Sequence, residues 1–265
     1  IEVKMGHVEP SGSPLDQGWQ FFANWVESAS GGRMKIDVYP AGQLGGMTEL
    51  FESVKTGTLK ISQGDEGAMA SFYDSEFFQK EINDGLAEKT GVRIIGRGCY
   101  GFRCWTNNRR EIRTPADFKG LKLRVMETPL FMKYVQALNA GPTPISFPEL
   151  YSALQQGVVD GQENPVGVIW DQHFYEVQKY LTVDEHVAGV NSILVNEEWF
   201  QSLPEELKMI IYTGAQIAGT IETGGRAYQN HVFVLDELRK EGMQIYIPTP
   251  AEKEAFKDAS QQPVV

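Results

Sequence analysis

The sequence predicts an α/β fold, in which short strands alternate with amphipathic helices along most of the 265 residues. Apolar residues change repeatedly between the two-residue period of strands and the three-to-four-residue period of helices. Capping residues mark several helix starts, and one segment keeps helical spacing over an unusual length. Alternation of this kind favours sheets that are covered by helices on both faces.

Two helices are predicted in the first third of the chain, because apolar residues recur on one helical face and glycine follows each run. Their apolar faces are formed by Leu15, Trp19, Phe22 and Val26, and by Met47, Leu50, Phe51 and Val54. The remaining apolar runs predict strands at 1–8, 34–39, 58–63, 92–96 and 100–106.

Three later helices are marked by their first residues. Thr114 and Thr128 each place an N-cap residue before a proline, which suits the first helical position. Ser146 and Glu149 have the spacing of a capping box. Strands are predicted between and after these helices, at 121–125, 142–145, 158–162 and 192–195.

The segment 204–240 keeps roughly helical spacing without an internal proline. At about 1.5 Å per residue, such a helix extends on the order of 50 Å, which exceeds the width of a small domain. Glycine costs about 1 kcal/mol relative to alanine inside a helix. We therefore expect a long helix that bends at Gly224 and Gly225 and spans two lobes.

Charge and hydropathy limit the possible partners. The chain has 35 acidic and 24 basic side chains, for a formal charge of −11. Nucleic acid and anionic lipid both require a basic surface, so neither is expected as a partner. No stretch approaches the roughly 20 apolar residues of a membrane span. The chain opens on a strand pattern without a signal peptide, as a cytoplasmic protein or a processed secreted protein does.

Patterns typical of enzymes and cofactor sites are weak. Gly96, Gly98 and Gly101 have the spacing of a dinucleotide fingerprint, but a strand pattern follows them instead of the helix that would hold a pyrophosphate. The run from Asp184 to His186 could supply acid–base groups, although three polar residues in a loop are usually only solvated. We expect no catalytic residue, no cofactor and no metal. The histidines and cysteines without ligand spacing are His7, His173, His186, His231, Cys99 and Cys104.

Two arginines lie within strand-like apolar runs, Arg103 and Arg124. Burying an arginine is costly unless an anion meets it, and a guanidinium suits a carboxylate bidentately. Each arginine is therefore either an anion contact or a strand-end residue that pairs with a surface acid. Asn164 precedes a proline after a predicted strand, where it either contacts a ligand or forms a turn.

Several separated blocks of sequence carry a family resemblance. They include Gly-Val-Val-Asp-Gly-Gln-Glu-Asn-Pro at 157–165, His-Phe-Tyr-Glu-Val-Gln-Lys-Tyr-Leu-Thr at 173–182, Gly-Phe-Arg at 101–103 and Leu-Lys-Leu-Arg at 121–124. A further block, at 31–46, contains Ile-Asp-Val-Tyr-Pro-Ala-Gly-Gln-Leu-Gly-Gly. Over nearly its whole length the chain resembles the DctP-type solute-binding proteins of tripartite ATP-independent periplasmic (TRAP) transporters.

The resemblance implies an α/β, two-lobed periplasmic binding protein fold with hinge strands and a long bent helix that spans both lobes. Lobe I would comprise residues 1–100 and 190–228, and lobe II residues 101–189 and 229–265. The lobes would close over a small organic anion, such as a C4-dicarboxylate, a keto, hydroxy or sugar acid, or a sulfonate. The resemblance further implies a bacterial periplasmic monomer that delivers its ligand to TRAP membrane permease subunits.

The same resemblance implies roles for individual residues. Arg124 would be the main carboxylate clamp, Arg103 a second basic contact and Asn164 an amide donor. Phe147 would pack on the ligand, although it could equally be a core residue. The polar contacts expected from lobe I are Asp65, with Glu66 as a rival in the same loop, and Glu9 and Asn191.

Two other functions share these features. A ligand-sensing module without transport would carry the same binding residues, and a two-lobed enzyme would share the architecture. The absence of a nucleophile–base pair in the sequence counts against the enzyme. The family usually carries extra residues near the junction of Tyr73 and Asp74, so this stretch is expected to be short or incomplete.

Overall fold

The structure is a computed structural model that describes residues 1–65 and 78–260, with only the backbone at Asp65, Phe78 and Gln79. Glu66 and the junction of Tyr73 and Asp74 lie outside the described residues. The described helices and strands alternate along the chain, which confirms the predicted α/β class. No helix in the described ranges is both long and apolar enough to cross a bilayer.

The chain forms two compact units. Unit 1 comprises Ile1–Tyr100 and Gly189–Arg226, and unit 2 comprises Gly101–Ala188 and Ala227–Val265. The chain passes between them inside two long strands, β4 (Val92–Asn107) and β8 (Tyr180–Asn196), and near the end of a long helix.

Unit 1 places three short strands beside β8, in the order β2-β1-β3-β8. Strand β1 is parallel to β2 and β3, and β3 is antiparallel to β8. A core that includes Trp19, Phe22 and Ile211 packs against them. The elements are β1 (Glu2–Gly6), α1 (Pro14–Ala29), β2 (Lys35–Tyr39), α2 (Met47–Lys55), β3 (Ile61–Asp65), a π-helical turn (Phe78–Asn83), α3 (Asp84–Thr90), α7 (Glu197–Ser202) and α8 (Glu205–Tyr228).

Unit 2 has the strand order β4-β7-β5-β6, with β9 beside β8. Strand β7 is antiparallel to β4 and parallel to β5, and two hydrophobic clusters lie within the unit. The elements are 3₁₀ turns at Pro115–Phe118, Phe147–Glu149 and Phe174–Glu176, β5 (Lys122–Val125), α4 (Pro129–Ala137), β6 (Gly141–Pro144), α5 (Leu150–Gln155), β7 (Gly161–Pro165), α6 (Val166–Asp171), a π-helical turn (Gln229–Phe233), α9 (Val234–Lys240), β9 (Gln244–Tyr246) and α10 (Pro250–Ser260).

Several strand ends differ from those predicted from the sequence. The predicted strands at 92–96 and 100–106 form the single strand β4, and β8 begins twelve residues before the predicted 192–195. Asp184 and His186 therefore lie in a strand, where they are buried, and not in a solvated loop. Asn164 likewise lies within β7 and not after it. The run from Asp184 to His186 was expected to be solvated, but both of these residues are buried and hydrogen-bonded to each other.

The glycines of β4 provide space for helical residues. A Cβ atom on Gly98 would lie 2.0 Å from Oε2 of Glu222, and one on Gly96 would lie 2.7 Å from the carbonyl oxygen of Ala215. Gly101 has φ of +111°, a conformation that favours glycine. Because β4 continues through these glycines, their spacing reflects backbone geometry and helix packing.

The long helical segment predicted over 204–240 is confirmed, but its irregularity lies elsewhere than expected. Helix α8 continues through Gly224 and Gly225, and the π-helical turn follows it. Gly225 instead allows helix α8 to lie close to Pro14, since a Cβ atom on Gly225 would lie 2.9 Å from Cβ of Pro14.

The predicted helix start at Thr128 is confirmed by α4, whereas Thr114 begins only a 3₁₀ turn.

Two glycines of α8 should respond in opposite ways to substitution by alanine. A Cβ atom on Gly219 would lie 1.6 Å from the carbonyl oxygen of Arg97, whereas no atom lies within 4 Å of one on Gly224. Gly219→Ala should therefore lower the free energy of unfolding by about 2 kcal/mol or more. Gly224→Ala should raise it by up to about 1 kcal/mol, because alanine favours the helix. Urea unfolding measures both, and a stable Gly219→Ala variant would contradict this packing.

Candidate functional site

The predicted ligand residues of β4 and β7 lie on different faces of this strand pair. Arg103 is paired with Pro165 and Trp105 with Glu163, so these side chains share one face. Cys104 is paired with Asn164, on the opposite face.

Arg124 lies on the same face as Asn164. Its neighbour Leu123 is paired with Gly161 in the parallel β5–β7 pair, which places Arg124 beside Gln162. Side chains two residues apart on a strand share a face, so Gln162, Asn164 and Arg124 belong together. Arg103 and Arg124 therefore lie on opposite faces of the unit 2 sheet, which sequence spacing alone could not show.

Arg124 and Phe147 form a contact in unit 2. Arg124 is only 2% exposed, and its Nε donates to the carbonyl oxygen of Ile145 at 2.8 Å. Its Cζ lies 5.8 Å from the centre of the Phe147 ring, which packs edge-to-face with Phe174. A guanidinium on an aromatic face keeps its planar fork of donors in one orientation, which suits a carboxylate.

Asn164 is buried and belongs to a chain of polar side chains. Its Nδ2 donates to Oε1 of Gln162 at 2.5 Å, and Nε2 of Gln162 donates to Oγ1 of Thr106 at 2.9 Å. An amide has two N–H donors and one acceptor oxygen. Asn164 can therefore keep its bond to Gln162 and still meet both a carboxylate and a hydroxyl group.

Arg103 has a carboxylate partner within unit 2. Its Nε and Nη2 both donate to the carboxylate of Glu163, and Nη2 also donates to the carbonyl oxygen of Glu163 at 2.8 Å. The ring of Phe131 lies 5.5 Å from its Cζ. The acid that meets Arg103 is thus a buried residue and not the surface acid considered above. Its role as an anion contact stays a prediction.

The Arg103–Glu163 pair continues into a buried cluster, of which the sequence indicated only the run from Asp184 to His186 as possible acid–base groups. Nε2 of His186 lies 3.5 Å from Oε2 of Glu163, and its Nδ1 lies 3.0 Å from Oδ1 of Asp184. Trp105 donates from Nε1 to Asp184 at 3.1 Å and stacks on the His186 ring. That run had been assigned to a loop, and no sequence pattern connected it to Glu163 or to Trp105.

Charges in this cluster shift two pKa values in opposite directions. Burial opposes ionisation of Glu163, but the charge and hydrogen bonds of Arg103 and His186 outweigh it and lower its pKa to about 2. Burial likewise opposes protonation of His186, but Asp184 and Glu163 raise its pKa to about 9. Glu163 and His186 are therefore both charged at neutral pH.

Two of the residues predicted from lobe I, Glu9 and Asn191, are held in buried polar contacts of unit 1. Glu9 forms an ion pair with Arg226. Nδ2 of Asn191 donates to Glu222 at 2.6 Å, and Oδ1 of Asn191 accepts from Gln63 at 2.8 Å.

Both helical partners, Glu222 and Arg226, were missed, because charged residues of an amphipathic helix are usually assigned to its solvated face. The backbone of Asp65 pairs with Asn191, and Glu66 lies outside the described residues. The structure brings Asn191 and Glu222 together in unit 1, and contact of Asn191 with a ligand stays a prediction.

The described residues form an α/β protein whose unit 2 sheet has an arginine and an amide, Arg124 and Asn164, on one face. The family model for bacterial extracellular solute-binding protein, family 7 (DctP), matches residues 5–64 and 62–265. The chain belongs to this family, as the sequence resemblance indicated.

Relatives of known structure and name support the assignment. The sialic acid-binding periplasmic protein SiaP of Vibrio cholerae is 31% identical, over 98% of this chain and 86% of that protein. A TRAP solute-binding protein of Roseobacter denitrificans with bound β-D-glucuronate is 25% identical with a TM-score of 0.91, over 100% of this chain and 93% of that one. The sugar acid-binding protein DctPAm of Advenella mimigardefordensis, with galactonate, is 28% identical with a TM-score of 0.90, over 100% and 91%.

The buried cluster should give a pH-dependent stability. His186 has a raised pKa, so its contribution is complete below its ordinary value of 6.5 and is lost as the pH rises through about 9. Glu163 has a lowered pKa, so its contribution is lost as the pH falls from its ordinary 4.5 towards about 2. The free energy of unfolding should therefore fall between pH 6.5 and 9, and His186→Gln should reduce this slope.

The exposed His173 provides the matched control, because His173→Gln removes an imidazole outside the cluster. Chemical unfolding at several pH values gives the slopes. Equal slopes in the wild type and His186→Gln would contradict the charged cluster, whereas His173→Gln should retain the wild-type slope.

Proposed function

We propose that this protein is the periplasmic solute-binding component of a TRAP transporter, and that it captures a small organic acid and delivers it to membrane permease subunits. The observation that carries the proposal is the placement of Arg124 and Asn164 on one face of the unit 2 sheet, with Phe147 against the guanidinium. This set can hold a carboxylate through charge, planar hydrogen bonds and ring packing.

The buried position of Arg124 suits a carboxylate ligand. A buried guanidinium is costly to desolvate, and a bound carboxylate offsets that cost through two parallel hydrogen bonds. The bond from Nε to Ile145 restrains the side chain before a ligand arrives, so less conformational entropy is lost on binding. A lysine at this position would keep the charge but lose the fork of donors.

The named relatives support a hydroxylated acid as the ligand class. Sialic acid, glucuronate and galactonate each combine a carboxylate with hydroxyl groups. Asn164 can serve such a molecule because its amide offers both a donor and an acceptor. Arg103, Glu9, Asn191, Asp65 and Glu66 are proposed as further contributors to binding.

Binding without turnover is the expected behaviour, and a thermal-shift screen tests it. The panel is D-glucuronate, D-galactonate, N-acetylneuraminate, succinate and isethionate, added to protein freed of co-purified ligand by partial unfolding and refolding. A ligand at a hundredfold excess over its Kd stabilises the native state by about 2.7 kcal/mol.

At least one hydroxylated acid should raise the melting temperature, and mass spectrometry should recover it unchanged. If no acid stabilises the protein, the proposed ligand class is wrong, and a reaction product would indicate an enzyme instead. Succinate and isethionate distinguish a plain dicarboxylate and a sulfonate from a hydroxy acid.

Arg124→Lys should weaken binding more than its retained charge suggests. Loss of the two-pronged geometry should cost about 2 kcal/mol, or roughly thirtyfold in Kd. Arg113→Lys is the matched control, because Arg113 is exposed and pairs with Glu111. Calorimetry with the acid that stabilises the wild type most measures both variants. An unchanged Kd in Arg124→Lys would assign Arg124 a purely structural role.

A further inference from the structure

Four buried polar side chains of unit 2 form one chain of hydrogen bonds that ends at Asn164. Nδ2 of Asn164 donates to Oε1 of Gln162 at 2.5 Å, and Nε2 of Gln162 donates to Oγ1 of Thr106 at 2.9 Å. Oγ1 of Thr106 donates in turn to Oε1 of Gln178 at 2.8 Å. None of the four is more than 3% exposed.

The far end of this chain has a fixed polarity. Nε2 of Gln178 lies 2.9 Å from the carbonyl oxygen of Val177 and 3.5 Å from that of Asp160. Carbonyl oxygens only accept hydrogen bonds, so the nitrogen of the Gln178 amide must face them. The opposite orientation would bring three acceptor oxygens together in a buried place.

That polarity propagates through each link to Asn164. The Gln178 oxygen faces Thr106, so the Thr106 hydroxyl must donate to it. The Thr106 oxygen then accepts from the Gln162 nitrogen, which turns the Gln162 oxygen towards Asn164. Only the Asn164 nitrogen can donate to this oxygen, so the whole chain has one direction.

The strand register explains why these residues meet. Thr106 is directly paired with Gln162 between β4 and β7, and Gln162 and Asn164 are two residues apart on one face. Gln178 follows the 3₁₀ turn Phe174–Glu176 and precedes β8.

We propose that Gln178, acting through Thr106 and Gln162, sets the orientation of the Asn164 amide for ligand binding. The inference rests on the proposed function, in which Asn164 contacts an organic acid. We call this chain of hydrogen bonds the relay. Without it, a half-turn about the Cβ–Cγ bond of Asn164 would exchange the positions of the amide nitrogen and oxygen, and so of donor and acceptor. Gln178 and Thr106 are thus positioning residues whose effect reaches the acid through Asn164.

The first measurement uses the ligand-free protein. In a ¹⁵N-labelled sample, the Asn164 side-chain amide is the signal pair that disappears in Asn164→Asp. Thr106→Val removes both the donor and the acceptor of the relay while nearly keeping the shape of the side chain. The Asn164 amide protons should shift, and their exchange with solvent should accelerate by about tenfold, because the bond to Gln162 loses its support.

A rescue variant distinguishes a changed orientation of the Asn164 amide from a nonspecific disturbance of the fold. Thr106→Ser keeps the hydroxyl group and should restore the wild-type Asn164 signals. Gln178→Met removes the anchor at the other end of the relay and decides the question if Thr106→Val does not fold. Backbone amide exchange in β7 should stay unchanged in each folded variant. Wild-type Asn164 signals in Thr106→Val and in Gln178→Met would overturn the relay.

The second measurement tests the consequence for binding. Calorimetry with D-glucuronate, D-galactonate, N-acetylneuraminate and succinate should show about tenfold weaker binding to Thr106→Val, with Thr106→Ser within about twofold of the wild type. If the wild type binds none of these acids, the proposed function fails, while the Asn164 signals still decide the relay. If Thr106→Val binds as tightly as the wild type although its Asn164 signals have changed, the positioning role is overturned.

Discussion

The buried ion pair between Arg103 and Glu163 is the interaction on which the arrangement of unit 2 depends. Both side chains are almost fully buried, and breaking such a pair by removing one partner is strongly destabilising. The pair joins β4 to β7, so it stabilises one register of these strands. A slip by one residue would exchange the faces of β7 and move Asn164 to the opposite side. The candidate site on the Arg124 face therefore depends on a charge pair that lies on the other face.

The elements of the fold could be predicted from the sequence wherever apolar residues show a clear period. The helix at Thr128 and the long helical segment after Pro204 followed from capping and spacing. Polar residues in strands could not be placed in this way, because a polar residue in a sequence is usually assigned to a loop or a turn. Asp184 and Asn164 are buried since their partners, Trp105 and Gln162, satisfy them. Asp184 and its partner Trp105 are 79 residues apart in the sequence, beyond any local sequence window.

The positions of the candidate site residues could likewise be predicted only in part from the sequence. Residue type and family resemblance identified Arg124, Asn164 and Phe147, which the structure places in one unit. Neither source could show that Arg103 lies on the opposite face, because this depends on cross-strand register. The residues that support Asn164 were missed altogether, since an isolated threonine or glutamine has no distinctive pattern. Hydrogen-bond direction becomes visible only when the carbonyl oxygens at the end of the chain are known.

The net charge of −11 constrains how an anion could be captured. At physiological ionic strength the Debye length is about 8 Å, so the repulsion between an approaching acid and most surface carboxylates is largely screened. The same screening removes long-range attraction to a buried arginine. Under the proposed function, affinity must then arise from short-range contacts, in which the orientation of Arg124 and Asn164 matters more than the total charge. A buried and directed hydrogen-bond network suits this requirement, because it holds the binding groups in place before the ligand arrives.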